Sequence, residues 1–310
     1  VAIVATVKYV VRAPEPVTDN EDQQTQQDGT AEDSDAIQTI SNGKERKKYC
    51  YTILAYGVDN DAGGSDTNIL VRFDVPNKRI DLVSLPRDTL LHNEYRNNKL
   101  NFAYAKGGTE LLMEQIENLL GIPVDFYVTV NLKGFIALVD QIDGVDFDIP
   151  INMDYDDPYQ DLHIHFTKGP RHLNGQEAME VVRFRHNNDG TGYGTEDIGR
   201  IGTQQAFLKA VAKQLLQIGN VKNIPALVDI FYTYVKTDLT TGNLVWLGNE
   251  ALNIGTENIH FATLPGDGSG YYNKQSVYVL DAQATCDLVN EALNPYNEAL
   301  TLEDMDILVP

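Results

Sequence analysis

The first strongly apolar stretch, Tyr51-Thr52-Ile53-Leu54-Ala55-Tyr56-Gly57, is nearly continuous rather than alternating, which predicts a strand buried on both faces that ends in a glycine-containing loop. Residues 68–75 and 79–85 read as two further strands joined through Pro76-Asn77-Lys78, hence a hairpin. Helical periodicity covers residues 109–120 and is stopped by Gly121 and Pro123; a strand at 126–130, a helix at 132–142 and a strand at 145–149 follow. Residues 151–195 are rich in Pro, Gly, Asn and Asp and read as loops around a short segment at 173–186. The longest helical pattern spans 197–216, with an apolar stripe at Ile201, Phe207, Leu208, Val211, Leu215 and Ile218. Helices at 226–235 and 244–252, strands at 260–264 and 276–280, and a helix at 282–293 complete the reading. Alternating strands and helices without an internal repeat predict an α/β protein: a single three-layer α-β-α domain with a central mixed β-sheet.

The chain ends change this picture. Residues 14–36 carry many Asp, Glu and Gln, no Lys or Arg and almost no apolar side chains, so they bury too little surface to offset their ordering entropy. Residues 14–48 are therefore expected to be an acidic flexible tether, with Lys44-Glu45-Arg46-Lys47-Lys48 as its solvated end, and residues 49–310 to be the folded domain. The apolar run within residues 1–13 is too short and too interrupted to span a bilayer; it is either the end of a membrane anchor or an N-terminal element packed on the body. With 24 basic residues against 45 acidic ones the formal net charge is −21, which argues against nucleic acid as a partner. Cys50 and Cys286 match no metal-ligand spacing; they are two core thiols or one long-range disulfide, and the disulfide in an extracytoplasmic setting is the expectation.

In so acidic a chain, the run Val181-Val182-Arg183-Phe184-Arg185-His186 stands out. Strand alternation would put Arg183 and Arg185 on one face and Phe184 on the other, as two guanidinium forks converging on one phosphate require. A solvated strand end paired with carboxylates remains open. Asp59 and Asp66 lie at the end of one strand and the start of the next, where paired carboxylates can hold Mg²⁺ together with substrate phosphates, or can cap their own turns. Ser84-Leu85-Pro86-Arg87-Asp88 brings Arg87 to a strand end, with Asp88 able to neutralise it, and Arg200 and Gln204 share a helix face at i, i+4. There is no P-loop, nucleophile elbow or zinc spacing, and His163 and His165, alternating in a strand-like segment, read as structural or exposed rather than as metal ligands.

In order, Gly57-Val58-Asp59, Ser65-Asp66-Thr67, Ser84-Leu85-Pro86-Arg87-Asp88, Lys99-Leu100-Asn101, Asp143-Gly144-Val145, Leu173-Asn174-Gly175-Gln176-Glu177-Ala178, Arg183-Phe184-Arg185 and the helix start at 197–205 resemble the LytR-CpsA-Psr family over residues 49–293. The resemblance implies a membrane-anchored, extracytoplasmic phosphotransferase of Gram-positive type bacteria that moves a glycopolymer (teichoic acid, capsule or a related polymer) from an undecaprenyl-pyrophosphate carrier to peptidoglycan. It implies pyrophosphate contacts from Arg87, Arg183, Arg185, Arg200 and Gln204, with Lys99 and Asp88 nearby, Mg²⁺ at Asp59 and Asp66, and an apolar pocket for the polyprenyl tail. Asp88 and Asp59 are candidates for the acceptor's proton. Two departures stand out: many members carry Arg where this chain has Gly64 and Thr203. A pyrophosphatase using water as acceptor and a non-catalytic carrier of polyprenyl-phosphate lipids are the alternatives; a transcriptional regulator is disfavoured by the acidic charge and the lack of a basic recognition helix.

Overall fold

The stretch at residues 51–57 becomes β1 (Cys50–Val58), an interior strand of a six-stranded sheet. A computed structural model describes residues 10–16, 43–58, 63–159, 161–193, 196–217 and 233–310. β1 pairs antiparallel with β2 (Ser65–Asp74), which forms the expected hairpin with β3 (Arg79–Leu85), and parallel with β4 (Phe126–Val130). With β9 (Val235–Thr237) and β10 (Ile259–Thr263) at the edges, the order β10-β3-β2-β1-β4-β9 mixes parallel and antiparallel neighbours, as expected.

Both faces of this sheet are covered, which is why β1 reads as unbroken apolar sequence. Leu54 and Tyr56 point to one side, with Leu70 and Val83, and pack under α1 (Leu100–Leu120) and α6 (Ala282–Ala292) through Leu112, Ile116, Leu119 and Val289. Tyr51 and Ile53 point to the other, with Phe73 and Phe126, and meet Leu247 and Ile254 of α5 (Thr241–Ile254). A third apolar cluster joins α2 (Leu132–Gln141), β5 (Val145–Ile149), α3 (Gly175–Arg183) and α4 (Glu196–Gln217) through Val139, Phe147, Ala178, Val181, Phe207 and Val211.

Several expectations are corrected. α1 starts at Leu100 rather than at 109, because Gly107 and Gly108 leave helical geometry (Gly108 φ 69°) and hide the earlier turn from a periodicity reading. Residues 151–195 contain a hairpin of β6 (Met153–Asp157) with β7 (Leu162–Phe166), and β8 (Gly169–Leu173), which pairs with β5. Val235 belongs to a strand rather than to the helix expected at 226–235, of which residues 226–232 lie outside the described residues. Arg183-Phe184-Arg185 is no strand: Arg183 is the last residue of α3 and Phe184 its extended C-cap (φ −59°, ψ 134°). Cys50 and Cys286 are buried free thiols, Cys286 Sγ lying 3.6 Å from the Leu300 carbonyl, and burial pushes the Cys50 thiol up to about 12.

The basic cluster at residues 44–48 is docked rather than solvated. The Arg46 guanidinium pairs with the buried Asp125 carboxylate, Lys44 Nζ lies 2.5 Å from Asp304 Oδ1, and Lys47 Nζ donates to the Asn294 carbonyl at 3.2 Å. Residues 1–9 and 17–42, where the anchor and most of the tether were expected, lie outside the described residues. Asn243 Nδ2 donates to the Arg12 carbonyl at 3.1 Å, setting that segment at the start of α5. Among the described residues no helix is long and apolar enough to cross a membrane.

Candidate active site

β1 and β4 run parallel, and their C-terminal ends open where sheets of this kind usually build a site. Ala55, Ile69, Val128 and Val130 floor a cavity of about 570 Å³ there. Its roof is apolar: Leu132, Phe135 and Leu138 from α2, Val182 from α3, and Phe207, Leu208 and Val211 from α4. Part of its wall is cationic. Arg87, Arg183, Arg185 and Arg200 line it with Asp66, Gln204 and His186, four guanidinium groups against one carboxylate among the described lining residues.

Each arginine is aimed by a local device. Arg87 follows β3 in a turn in which Thr89 N and Oγ1 both donate to the Pro86 carbonyl at 3.0 and 2.6 Å. Its Nη1 pairs with Asp66 Oδ1, and its Nε is 3.8 Å from Asp88 Oδ1, beyond hydrogen-bond reach. Arg183 is the last residue of α3 and Arg185 follows its C-cap; the start of α3 is a capping box: Asn174 Oδ1 accepts from Glu177 N at 2.9 Å, and Glu177 Oε2 accepts from Asn174 N at 3.0 Å. Gly175 lets α3 press on α2. A Cβ there would lie 2.3 Å from the Ile136 carbonyl oxygen, and Gly175 N donates to Asp140 Oδ1 at 2.7 Å. At the far end Phe184 turns into the core, 1% exposed, and the arginines on either side of it turn to the cavity. Their convergence was expected; a helix end rather than strand alternation produces it.

Arg200 is 5% exposed on α4, and Gln204, one turn on, donates to the Val182 carbonyl at 3.1 Å. Gln205 Nε2 fastens the same helix to the sheet edge through Ser84 Oγ at 3.0 Å, the Ala262 carbonyl at 2.7 Å and Thr263 Oγ1 at 2.9 Å. Thr203 faces inward and donates to Tyr193 Oη at 2.8 Å, and burial raises the Tyr193 hydroxyl above its ordinary value. At Gly64 a Cβ would meet the Asn101 carbonyl oxygen at 3.5 Å, ordinary contact.

Among the candidates named from sequence, Asp66, Arg87, Arg183, Arg185, Arg200 and Gln204 share the cavity. Lys99 and Asp88 form a pair behind it, Nζ to Oδ1 3.1 Å, and do not line it. Asp59 lies outside the described residues. The resemblance implied an apolar pocket without assigning its residues, and sequence reasoning missed His186 and Asn131. His186 adjoins Arg185 and stacks edge-on against Tyr155 with ring centroids 5.6 Å apart. Asn131 caps α2, its Oδ1 accepting from Gly134 N at 2.8 Å. The available signal for the lining was the apolar face of residues 132–139, more than a helix needs to pack on one neighbour.

The chain is similar to known proteins in sequence and in fold. The Bacillus subtilis polyisoprenyl-teichoic acid–peptidoglycan teichoic acid transferase TagV is 32% identical over 254 residues, covering 78% of this chain and 63% of that protein. The corresponding TagU of Bacillus cereus is 33% identical over 245 residues, 77% of each. The crystal structure of B. subtilis TagV superposes with a TM-score of 0.68 at 28% identity, covering 85% of this chain and all of that one. The family profile matches residues 15–294, so nearly the whole described body, with the arginine-lined cavity at its centre, is accounted for, and the chain belongs to the LytR_cpsA_psr family.

Proposed function

We propose that this protein is a phosphotransferase that moves an anionic glycopolymer, of the teichoic acid or capsule type, from undecaprenyl-pyrophosphate to peptidoglycan. The observation that carries the reading is one cavity lined by four arginines and by aliphatic and aromatic side chains. A lipid pyrophosphate has that polarity: a multiply charged head that bidentate guanidinium groups fit, and a tail that gains from leaving water. The names of the TagV and TagU relatives support the same substrate class.

Arg183 and Arg185 would grip the pyrophosphate from the α3 end, Arg87 from the β3 end and Arg200 with Gln204 from α4. An acceptor hydroxyl oxygen of peptidoglycan attacks the phosphorus that bears the glycopolymer. The bond from that phosphorus to the bridging oxygen breaks, polyprenyl monophosphate leaves, and the acceptor's proton is released. Such transfers depend on holding reactants in line and on neutralising charge on phosphate oxygens, which fixed guanidinium groups do without a covalent nucleophile. Asp88, paired with Lys99 Nζ at 3.1 Å, stands next in sequence to Arg87, and it and Asp59 are the candidates to take the acceptor's proton.

A hard cation fits the donor set, since Mg²⁺ favours one or two carboxylates plus substrate phosphates and Asp66 stands beside the phosphate-binding arginines. Asp66, with Asp59, would hold it, and it would supply further neutralisation of phosphate charge. With Gly64 and Thr203 in place of family arginines, the four remaining carry the head group, and each should weigh more. The reading places the enzyme at the outer face of the cell membrane, held by an N-terminal anchor, where lipid-linked polymer meets the wall.

The test is purified protein with a radiolabelled polyprenyl-pyrophosphate glycan, Mg²⁺ and peptidoglycan. Label in the wall fraction is the expected result; labelled glycan phosphate released to solution without peptidoglycan would make the protein a hydrolase, and intact retained lipid a binding protein. Arg183→Ala and Arg185→Ala should each lower turnover by roughly 10²-fold or more, the scale of losing one preorganised donor to the transition state. Unchanged turnover in both would remove the anion-site assignment.

A further inference from the structure

The β6–β7 hairpin covers the cavity on one side and faces solvent on the other. Its inner face contributes Tyr155 and Leu162 to the cavity. Its outer face carries two cross-strand pairs of the same composition, Asp154 opposite His165 and Asp156 opposite His163. His165 Nδ1 lies 2.8 Å from Asp154 Oδ1, and His163 Nδ1 lies 2.5 Å from Asp156 Oδ1. The pairs also interlock: His165 Nε2 reaches Asp156 Oδ1 at 3.3 Å, so that one carboxylate oxygen sits between two imidazoles.

We propose that Asp156, His163 and His165 form a binding site for a divalent transition cation of the Zn²⁺ type, separate from the arginine-lined cavity. One ligand atom from each of the three lies within 4.8 Å of the other two. Donors around a tetrahedral ion at about 2.0–2.1 Å are separated by about 3.3 Å, which exposed imidazoles can reach by small side-chain rotations. Two nitrogens and one oxygen suit Zn²⁺ rather than Mg²⁺ or Ca²⁺, which take oxygen ligands. The strand period of two delivers both histidines to one face, and the antiparallel register delivers the carboxylate beside them. Asp154, on His165 Nδ1, orients that ring and leaves Nε2 toward the site, the usual service of a carboxylate behind a ligating histidine.

A second pair supplies the contrast. On the antiparallel β5–β8 strand pair, Asp146 lies opposite His172, with Nδ1 to Oδ1 at 2.8 Å, and no second histidine joins it among the described residues. A general tendency of His–Asp pairs to attract cations would act at both strand pairs; a three-donor site acts at one. An ion at the site would tie β6 to β7 across the outer face and stiffen the strands whose inner residues wall the cavity.

The test is titration of the tag-free chain with Zn²⁺ against a chromophoric chelator. Expected is one Zn²⁺ per chain, with affinity falling by at least about 100-fold in His163→Ala and in His165→Ala, because even the loss of a partner behind a ligand costs about 10–100-fold. His172→Ala should leave it unchanged. X-ray absorption of the loaded wild-type chain, which depends on no variant folding, should give two imidazole ligands, and amide exchange should slow over residues 153–157 and 162–166. Absence of stoichiometric binding, fewer than two imidazoles, or equal weakening by His172→Ala would each overturn the site.

Discussion

Asp125 shows how differently one charge pair can be used from another. Its Oδ2 accepts from Thr52 N at 2.8 Å and from Thr52 Oγ1 at 3.0 Å as well as pairing with Arg46, and the two charged side chains are 2% and 6% exposed. Removing one partner of a buried pair leaves the other charge uncompensated. Arg46→Ala should therefore lower stability by about 3 kcal/mol, near the lower end of such losses because the Thr52 donors remain; a shift in the urea midpoint at unchanged slope would measure it. Nothing local announces this role, since Arg46 sits in a run of lysines and its partner is 79 residues away. Arg87 and Asp66 in the cavity wall are the opposite case, with side chains 26% and 33% exposed. Solvent screens that pair, so Asp66→Asn should leave the urea midpoint almost unmoved. Its effect should fall on turnover and on the Mg²⁺ dependence of turnover; a variant with wild-type Mg²⁺ response would exclude Asp66 from metal binding.

At the scale of elements, α3 is where sequence reading expected two arginines to converge and the structure brings them to one cavity by a different geometry. Val181 and Val182 are β-branched and Arg183-Phe184-Arg185 alternates, so the end of the element looks like a strand. The decisive signal lay at the other end, in Asn174 followed three residues later by Glu177. Since that capping box holds the helix that aims Arg183, Asn174→Ala should cost about 1 kcal/mol in stability. It should also weaken inorganic pyrophosphate binding, although residue 174 does not line the cavity; loss of stability with unchanged pyrophosphate affinity would separate α3 from anion binding. The β6–β7 hairpin makes a prediction in pH. Hydrogen bonding to the Asp156 and Asp154 carboxylates raises His163 and His165 above the ordinary imidazole value, and His163 holds Asp156 below the usual carboxylate range. For histidines raised on folding, the favourable contribution is complete below the unfolded value of about 6.5 and is lost as pH rises through the folded one; for Asp156 it is lost as pH falls through its lowered value. The pairs thus hold in the acid window between the two. In proton NMR titrations without added metal, His163 should titrate above 6.5 and return toward that value in Asp156→Asn.

For the whole molecule, what was legible in sequence was what local pattern determines: the β2–β3 hairpin, the unbroken β1, the long α4 and the mixed three-layer sheet. An apolar pocket was implied by the resemblance, but its lining was not legible, because its floor comes from β1, β2 and β4 and its roof from α2, α3 and α4, and only the tertiary fold brings those segments together. That origin supplies a test in which head and tail of the lipid are read apart. Ala55 sits on the floor strand, far from the arginines in function but open to the same space, with a side chain small enough to leave room. Ala55→Phe should grow into the cavity rather than into packed core, so the fold should persist while the space for the tail shrinks. The expected outcome is a KM for a long-chain polyprenyl-pyrophosphate donor raised about tenfold or more, equivalent to about 1.4 kcal/mol or more of lost binding if donor release outpaces chemistry. Affinity for inorganic pyrophosphate, which needs only the arginines, should stay as in the wild type. If Ala55→Phe weakens both ligands alike, the apolar walls and the arginines form one anion pocket and the tail lies elsewhere; if it weakens neither, the apolar walls are packing and not a lipid site.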